Sequence, residues 1–198
     1  MKSINKKEEL LECALALFSE KGYESAGINE IVQKAGVTKP TLYYFFQSKE
    51  GIFQEILRQY YEPFNAILAK ESVYYPNAQS YQNDVLPTLL RIANAYFTFA
   101  RENKTFYMMV LSLAFAPPGA QSTILIEPYN IAQYKILIQC FERIADVHGN
   151  LKGKERQCAY SFVAMLNASI GFWYHGYGEI NEQKAELVVQ QFMHGIFS

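Results

Sequence analysis

The side chains in this sequence that could do chemistry are poorly arranged for catalysis. His148, His175 and His194 stand in no HExxH spacing, no GxSxG or phosphate-loop pattern occurs, and Cys13, Cys140 and Cys158 form no CxxC pair. Cysteines so placed read as buried, reduced thiols of a cytoplasmic protein, with no metal or cofactor to hold. Another kind of chemistry is concentrated at residues 36–53, "GVTKPTLYYFFQSKEGIF", where threonines, lysines and tyrosines lie among phenylalanines. Hydroxyl, ammonium and phenol groups donate hydrogen bonds to phosphate oxygens and base edges, and aromatic rings pack on sugars or a thymine methyl. On a helix, consecutive residues point about 100° apart, so Leu42, Tyr43, Tyr44, Phe45 and Phe46 cannot all face one core. Leu42 and Phe46, four apart, face inward, which leaves Tyr43, Tyr44 and Phe45 for something outside.

The elements that must position these groups are helical. Almost every segment has helical period, and breakers such as Lys21-Gly22, Ala35-Gly36, Gln47-Ser48, Tyr75-Pro76-Asn77, Pro117-Pro118-Gly119 and His148-Gly149-Asn150 divide the chain. The pattern predicts an all-α fold of about nine helices over residues 5–21, 28–35, 39–46, 49–71, 83–101, 104–116, 122–147, 154–176 and 181–197. Ile31, Val32 and Ala35 give the second helix an apolar face, Gly36 supplies the positive φ of a tight turn, and Val37 plugs the corner. Two short helices about such a turn form a helix-turn-helix, and Ala14, Leu17 and Phe18 of the first helix supply the surface on which they pack. The last helix of such a unit enters the DNA major groove. It starts either with Thr38 as cap and Lys39-Pro40 in the first turn, or at Pro40 itself, because a proline disfavours helical geometry in the residue before it.

Residues 18–53, "FSEKGYESAGINEIVQKAGVTKPTLYYFFQSKEGIF", resemble the DNA-binding region of the TetR family of transcriptional regulators. Phe18, Gly22, Tyr23, Ile31, Ala35, Gly36, Val37, Leu42, Tyr43, Phe46 and Lys49 fall where that pattern expects them, over about a quarter of the chain. The resemblance implies a helix-turn-helix head over residues 1–48 and a helical ligand-binding and dimerisation domain over 49–198, with helix 49–71 connecting the two. It implies that Thr38, Lys39, Pro40, Thr41 and Tyr43 line the groove, that Tyr44 and Lys49 hold phosphates, and that Asn29 reads a base. Gly27 departs from the family's usual capping hydroxyl, and Phe45 from its frequent phosphate-bonding His or Tyr. The first fifty residues hold seven lysines and seven glutamates, so the head is neutral and depends on a few placed contacts for binding.

The rest of the chain is rich in rings. Tyr96, Phe99, Tyr107, Met108, Phe115, Tyr134, Phe162, Met165 and Trp173 suit either a core or the wall of a cavity for a small, mostly hydrophobic or aromatic effector, with Asn167 as a polar group to orient it. The eighth helix has two apolar sides, and Val188, Phe192, Gly195 and Ile196 give the last helix another; pairing these helices with their symmetry mates makes a homodimer, as the resemblance implies. Such a dimer would bind a near-palindromic double-stranded DNA operator and be released by its effector, repression being the family's commoner mode. A helical enzyme acting on small molecules and a protein-binding adaptor are the alternatives. Residues 157–178 carry no formal charge, yet Gln157, Ser161, Asn167, Ser169 and His175 argue against a membrane span.

Overall fold

The computed structural model describes residues 2–195, with side chains from Lys6 onward. Ile196, expected on the face of the last helix, lies outside the described residues. Among those described, nine α-helices and one 3-10 turn make up the regular structure: α1 (Lys2–Lys21), α2 (Ile28–Lys34), α3 (Lys39–Phe46), α4 (Lys49–Glu71), α5 (Tyr81–Glu102), α6 (Lys104–Leu113), α7 (Gln121–Val147), the 3-10 turn (Gly149–Leu151), α8 (Glu155–Tyr174) and α9 (Glu182–His194). The chain forms two compact units, one of residues 1–62 with 104–129 and the other of residues 63–103 with 130–198.

In the first unit, Leu10, Leu11, Ala14, Leu15, Leu17 and Phe18 recur at helical spacing on α1 and are all buried. The larger of these side chains each contribute roughly 1.5–3 kcal/mol by leaving water. α1 packs on α2, α3 and α6. Phe18, Tyr23 and Phe53 form a ring cluster with centroids 4.5 to 5.4 Å apart, which fixes the start of α4 beneath the turn that follows α1. A second aromatic seam joins α4, α6 and α7: Tyr60 stacks on Phe106 at 4.3 Å, and Tyr61 meets Phe106 edge-on at 5.6 Å and Tyr129 at 5.3 Å. The expected reading head lies within this unit, which also takes in α6 and the first turns of α7.

In the second unit, α5 packs against α8 and α9. Its core is partly aromatic, with Phe64 stacked on Phe99 at 4.0 Å and edge-on to Tyr96, and with Phe141, Phe162 and Phe192 in mutual contact. One polar hub is buried here. The Asp84 carboxylate, in the first turn of α5, accepts hydrogen bonds from the Tyr74 hydroxyl, the Asn77 and Val85 amides and His148 Nε2, the last at 2.9 Å. Burial opposes its ionisation, and these donors outweigh burial, holding the carboxyl below its ordinary range. Asp84 thereby ties the α4–α5 loop and the end of α7 to α5.

Candidate nucleic-acid interface

The turn between α2 and α3 is built as its sequence requires. Gly36 takes φ +61°, and the Val37 amide reaches back to the Val32 carbonyl at 3.0 Å, closing α2 in a left-handed cap. Gly27, with no side chain to offer, is the N-cap of α2, and the Glu30 carboxylate accepts from its amide at 3.0 Å while also holding Lys21. Thr38 is the N-cap of α3, so the helix begins at Lys39 with Pro40 in its first turn, where the missing N–H costs nothing. The two threonine hydroxyls of this turn, Thr38 and Thr41, are hydrogen-bonded at 3.0 Å.

Leu42 and Phe46 are buried against α1 and α2, as four-residue spacing demands. Outward, Tyr44 is 81% exposed and Tyr43 45%, beside exposed Thr38, Lys39 and Pro40 and half-exposed Thr41. Asn29 is exposed on α2. Phe45 is only half-buried, its ring edge-on to Tyr44 at 5.1 Å, so it props up that tyrosine rather than standing free as its place in the helix suggests.

The α3–α4 turn is unusually tight. Gln47 has φ +64°, and the Ser48 amide donates to the Phe46 carbonyl at 2.7 Å, two residues back. Ser48 then caps α4 by accepting from the Gly51 amide at 2.9 Å. A Cβ on Gly51 would lie 1.9 Å from the Phe46 carbonyl oxygen, so no larger residue fits there without moving backbone.

Lys49 is placed differently from the solvent-facing groups of α3. Its ammonium donates to the carbonyls of Tyr23, Glu24 and Ala26 at 2.7, 3.2 and 3.0 Å and lies 4.3 Å from the Tyr23 ring centroid. All three of its protons are thus directed at the turn between α1 and α2. A phosphate contact would have to be made in exchange for these bonds. Burial draws this ammonium below the ordinary lysine range, partly offset by the Glu24 carboxylate. The family resemblance put Lys49 on a phosphate and gave no sign of the clamp, because the three carbonyls lie more than twenty residues upstream and backbone acceptors leave no mark in a sequence.

The residues expected around an effector divide between the units. In the first, Tyr107 is buried and Met108 half-buried, while Phe115 is 94% exposed, because α6 ends at Leu113 and releases it into a loop. From that position Phe115 lines no enclosed wall. In the second, Tyr96, Phe99 and Phe162 are buried, with Phe99 stacked on Phe64, and Tyr134 meets Tyr160 edge-on at 4.9 Å. Met165, Asn167 and Trp173 are half-buried on α8. Among the described residues no group of three His, Cys, Asp or Glu side chains could hold a metal ion, and no helix is long and apolar enough to cross a membrane.

Residues 10–56 match the family described as bacterial regulatory proteins, tetR family. The chain is 34% identical over 103 residues to the uncharacterized HTH-type transcriptional regulator YdgC of Bacillus subtilis (strain 168), covering 52% of this chain and about half, 51%, of that relative's length. It is 25% identical over 192 residues to the HTH-type transcriptional activator FasR of Mycolicibacterium smegmatis, covering 94% of this chain and 80% of that one. Among solved structures, the transcriptional regulator FadR from Bacillus subtilis in complex with stearoyl-CoA aligns with a TM-score of 0.75 at 15% identity, over 96% of this chain and 98% of the other. At that identity the likeness is one of fold.

Proposed function

Because its residues 10–56 make this chain a member of the TetR family of bacterial regulatory proteins, we propose that it is a ligand-responsive transcriptional regulator that binds duplex DNA through α3. The observation that carries this reading is the outward row of Thr38, Lys39, Pro40, Thr41, Tyr43 and Tyr44 on a helix whose Leu42 and Phe46 are fully used in packing. Tyr44 donates its phenol to a phosphate, Lys39 adds charge there, and Thr41 and Asn29 read base edges. Lys49 serves from beneath, by holding the α1–α2 turn.

The functional protein is a homodimer through α8 and α9. Tyr160, Ala164, Ala168 and Phe172 are exposed at four-residue spacing on α8, and Leu187 is 61% exposed on α9, an apolar face that a second copy covers with short approach at the alanines. Two heads then meet a near-palindromic site, one per half-site. The effector has a long apolar part, and a long-chain acyl-CoA, an apolar chain on a charged head, is the first class to try, since the FadR of like fold holds stearoyl-CoA. It acts by favouring the conformation in which the heads no longer match successive grooves; repression relieved by ligand is the mode we assign.

The test is selection of duplexes from random sequence by the purified full chain, followed by affinity measurements with and without stearoyl-CoA. A recovered near-palindrome is expected. Thr41→Ala or Asn29→Ala then relaxes discrimination at one or two base positions by about 1–3 kcal/mol, whereas Tyr44→Phe weakens all sequences alike. Recovery of no sequence, or equal losses on selected and random DNA for all three variants, overturns the reading.

A further inference from the structure

α7 is a 27-residue helix that begins at Gln121. The residue before it, Ala120, has no polar side chain, and Thr123 turns its hydroxyl away to the Pro117 carbonyl at 3.1 Å. The first amides of any helix lack internal partners, and a carboxylate placed there satisfies them and meets the positive end of the helix dipole. In this chain the carboxylate comes from the head, 98 residues away in sequence. Glu24 Oε1 accepts from the Ser122 amide at 3.1 Å and from the Ser122 hydroxyl at 2.6 Å, and Ser122 is completely buried. A second head carboxylate joins it: Gln121 Nε2 donates to Glu50 Oε2 at 3.1 Å.

Both carboxylates belong to the segments that set α3. Glu24 lies in the turn whose carbonyls, its own included, are clamped by Lys49, and Glu50 follows Lys49 in the first turn of α4. The first turn of α7 is therefore held by the frame that holds the recognition helix. Burial disfavours the Glu24 charge, and the two bonds from Ser122, a bond from Glu24's own backbone and the nearby Lys49 charge together outweigh that, holding the carboxyl below the ordinary glutamate range.

We propose that Glu24 is the coupling residue of this regulator: by lending α7 the N-cap it lacks, it makes the first turn of α7 move with the head, so that the state of α7 and the DNA affinity of α3 are linked. The inference rests on the DNA-binding reading above. Glu24 is a positioning residue and does not touch DNA.

The experiment uses the full chain, a duplex selected by it from random sequence, and the variants Glu24→Ala, Glu24→Gln, Ser122→Ala and the double variant Glu24→Ala with Ser122→Ala. Exchange of the Ser122 amide is followed by NMR with and without that duplex. In the wild type, duplex binding changes this rate several-fold, though the amide is bonded within the protein. In Glu24→Ala the amide exchanges about fivefold faster, as loss of one helix cap entails, and the duplex no longer alters it. Glu24→Gln, which keeps an acceptor, retains part of the response. In the affinity measurement, Glu24→Ala and Ser122→Ala shift binding several-fold in the same direction, and the double variant shifts it no further than one of them. A Ser122 amide indifferent to duplex in the wild type, or additive effects of the two substitutions, overturns the coupling while leaving DNA binding intact. Failure to select any duplex overturns the DNA-binding reading and the coupling with it.

Discussion

Replacing Lys49 by methionine keeps most of its stem and removes its charge, which separates two roles that the sequence cannot distinguish. As a clamp, Lys49 contributes three charge-assisted hydrogen bonds to the carbonyls of Tyr23, Glu24 and Ala26 and a cation–π contact with the Tyr23 ring. A bond to a charged group is worth about 1.5–3 kcal/mol net. The three share one ammonium and the turn relaxes once it is gone, so a loss of about 2–4 kcal/mol is the reasoned total, including some 0.5–1 kcal/mol from the ring. For a chain of this length that lowers the melting temperature by roughly 5–15 °C. Denaturant unfolding gives the free energy directly. DNA binding titrated against salt should keep its slope, since no phosphate partner is lost. A melting temperature unchanged by Lys49→Met, together with a salt slope smaller by about one, would refute the clamp and restore the phosphate role.

Three further outcomes follow from the geometry. Gly51→Ala places a methyl 1.9 Å from the Phe46 carbonyl oxygen, and since both are backbone-fixed the substitution should cost about 3 kcal/mol or more by denaturant unfolding. Asp84→Ala leaves the Tyr74 hydroxyl, His148 and the Asn77 amide without their acceptor, so a loss of about 3–5 kcal/mol is expected, read as a melting point lower by roughly 10 °C. The Glu55 carboxyl is held down to about 2, first by the Arg58 guanidinium and then, against the opposing effect of burial, by Lys7. Its folded pKa lies below the unfolded one, so its stabilising contribution is complete above about pH 4.5 and is lost as the pH falls toward 2; Glu55→Gln should flatten that part of the stability profile.

How much was legible in the sequence depended on how local the physics was. The turn at Gly36 and the start of α4 after Ser48 were readable because these residues act on their immediate neighbours, the start of α3 was left open between Thr38 and Pro40 until the structure put the cap at Thr38, and the outward set of Tyr43 and Tyr44 followed from helical spacing alone. The left-handed backbone at Gln47, the C-cap of α3, was not readable, since a glutamine carries no mark of the positive φ that glycine ordinarily supplies there. The 3-10 turn over Gly149–Leu151 likewise lay hidden inside a stretch that read only as a breaker. Least visible were the long-range polar contacts. Nothing in the residues around Glu24 points to Ser122, and Asp84 looks like an ordinary first-turn acid until Tyr74 and His148 are seen to meet on it. Aromatic content was ambiguous for the same reason: Phe64 on Phe99 is a packed pair, and ring count alone does not separate that from a cavity wall.

Three of the glutamates that neutralise the head have internal employment: Glu24 on Ser122, Glu30 on Lys21 and Gly27, and Glu50 on Gln121. Each can be kept for structural reasons, and together they leave the part of the protein proposed to face DNA without surplus positive charge. A chromosome offers on the order of a million or more competing sites to any basic protein, and a strongly cationic head is mostly absorbed by them. A neutral head evades that sink. On the function proposed above, the consequence is one of copy number: most molecules of such a regulator would remain free to sample an effector, and a small cellular stock would suffice to fill the few sites that the proposed contacts of Thr41, Tyr43 and Tyr44 select.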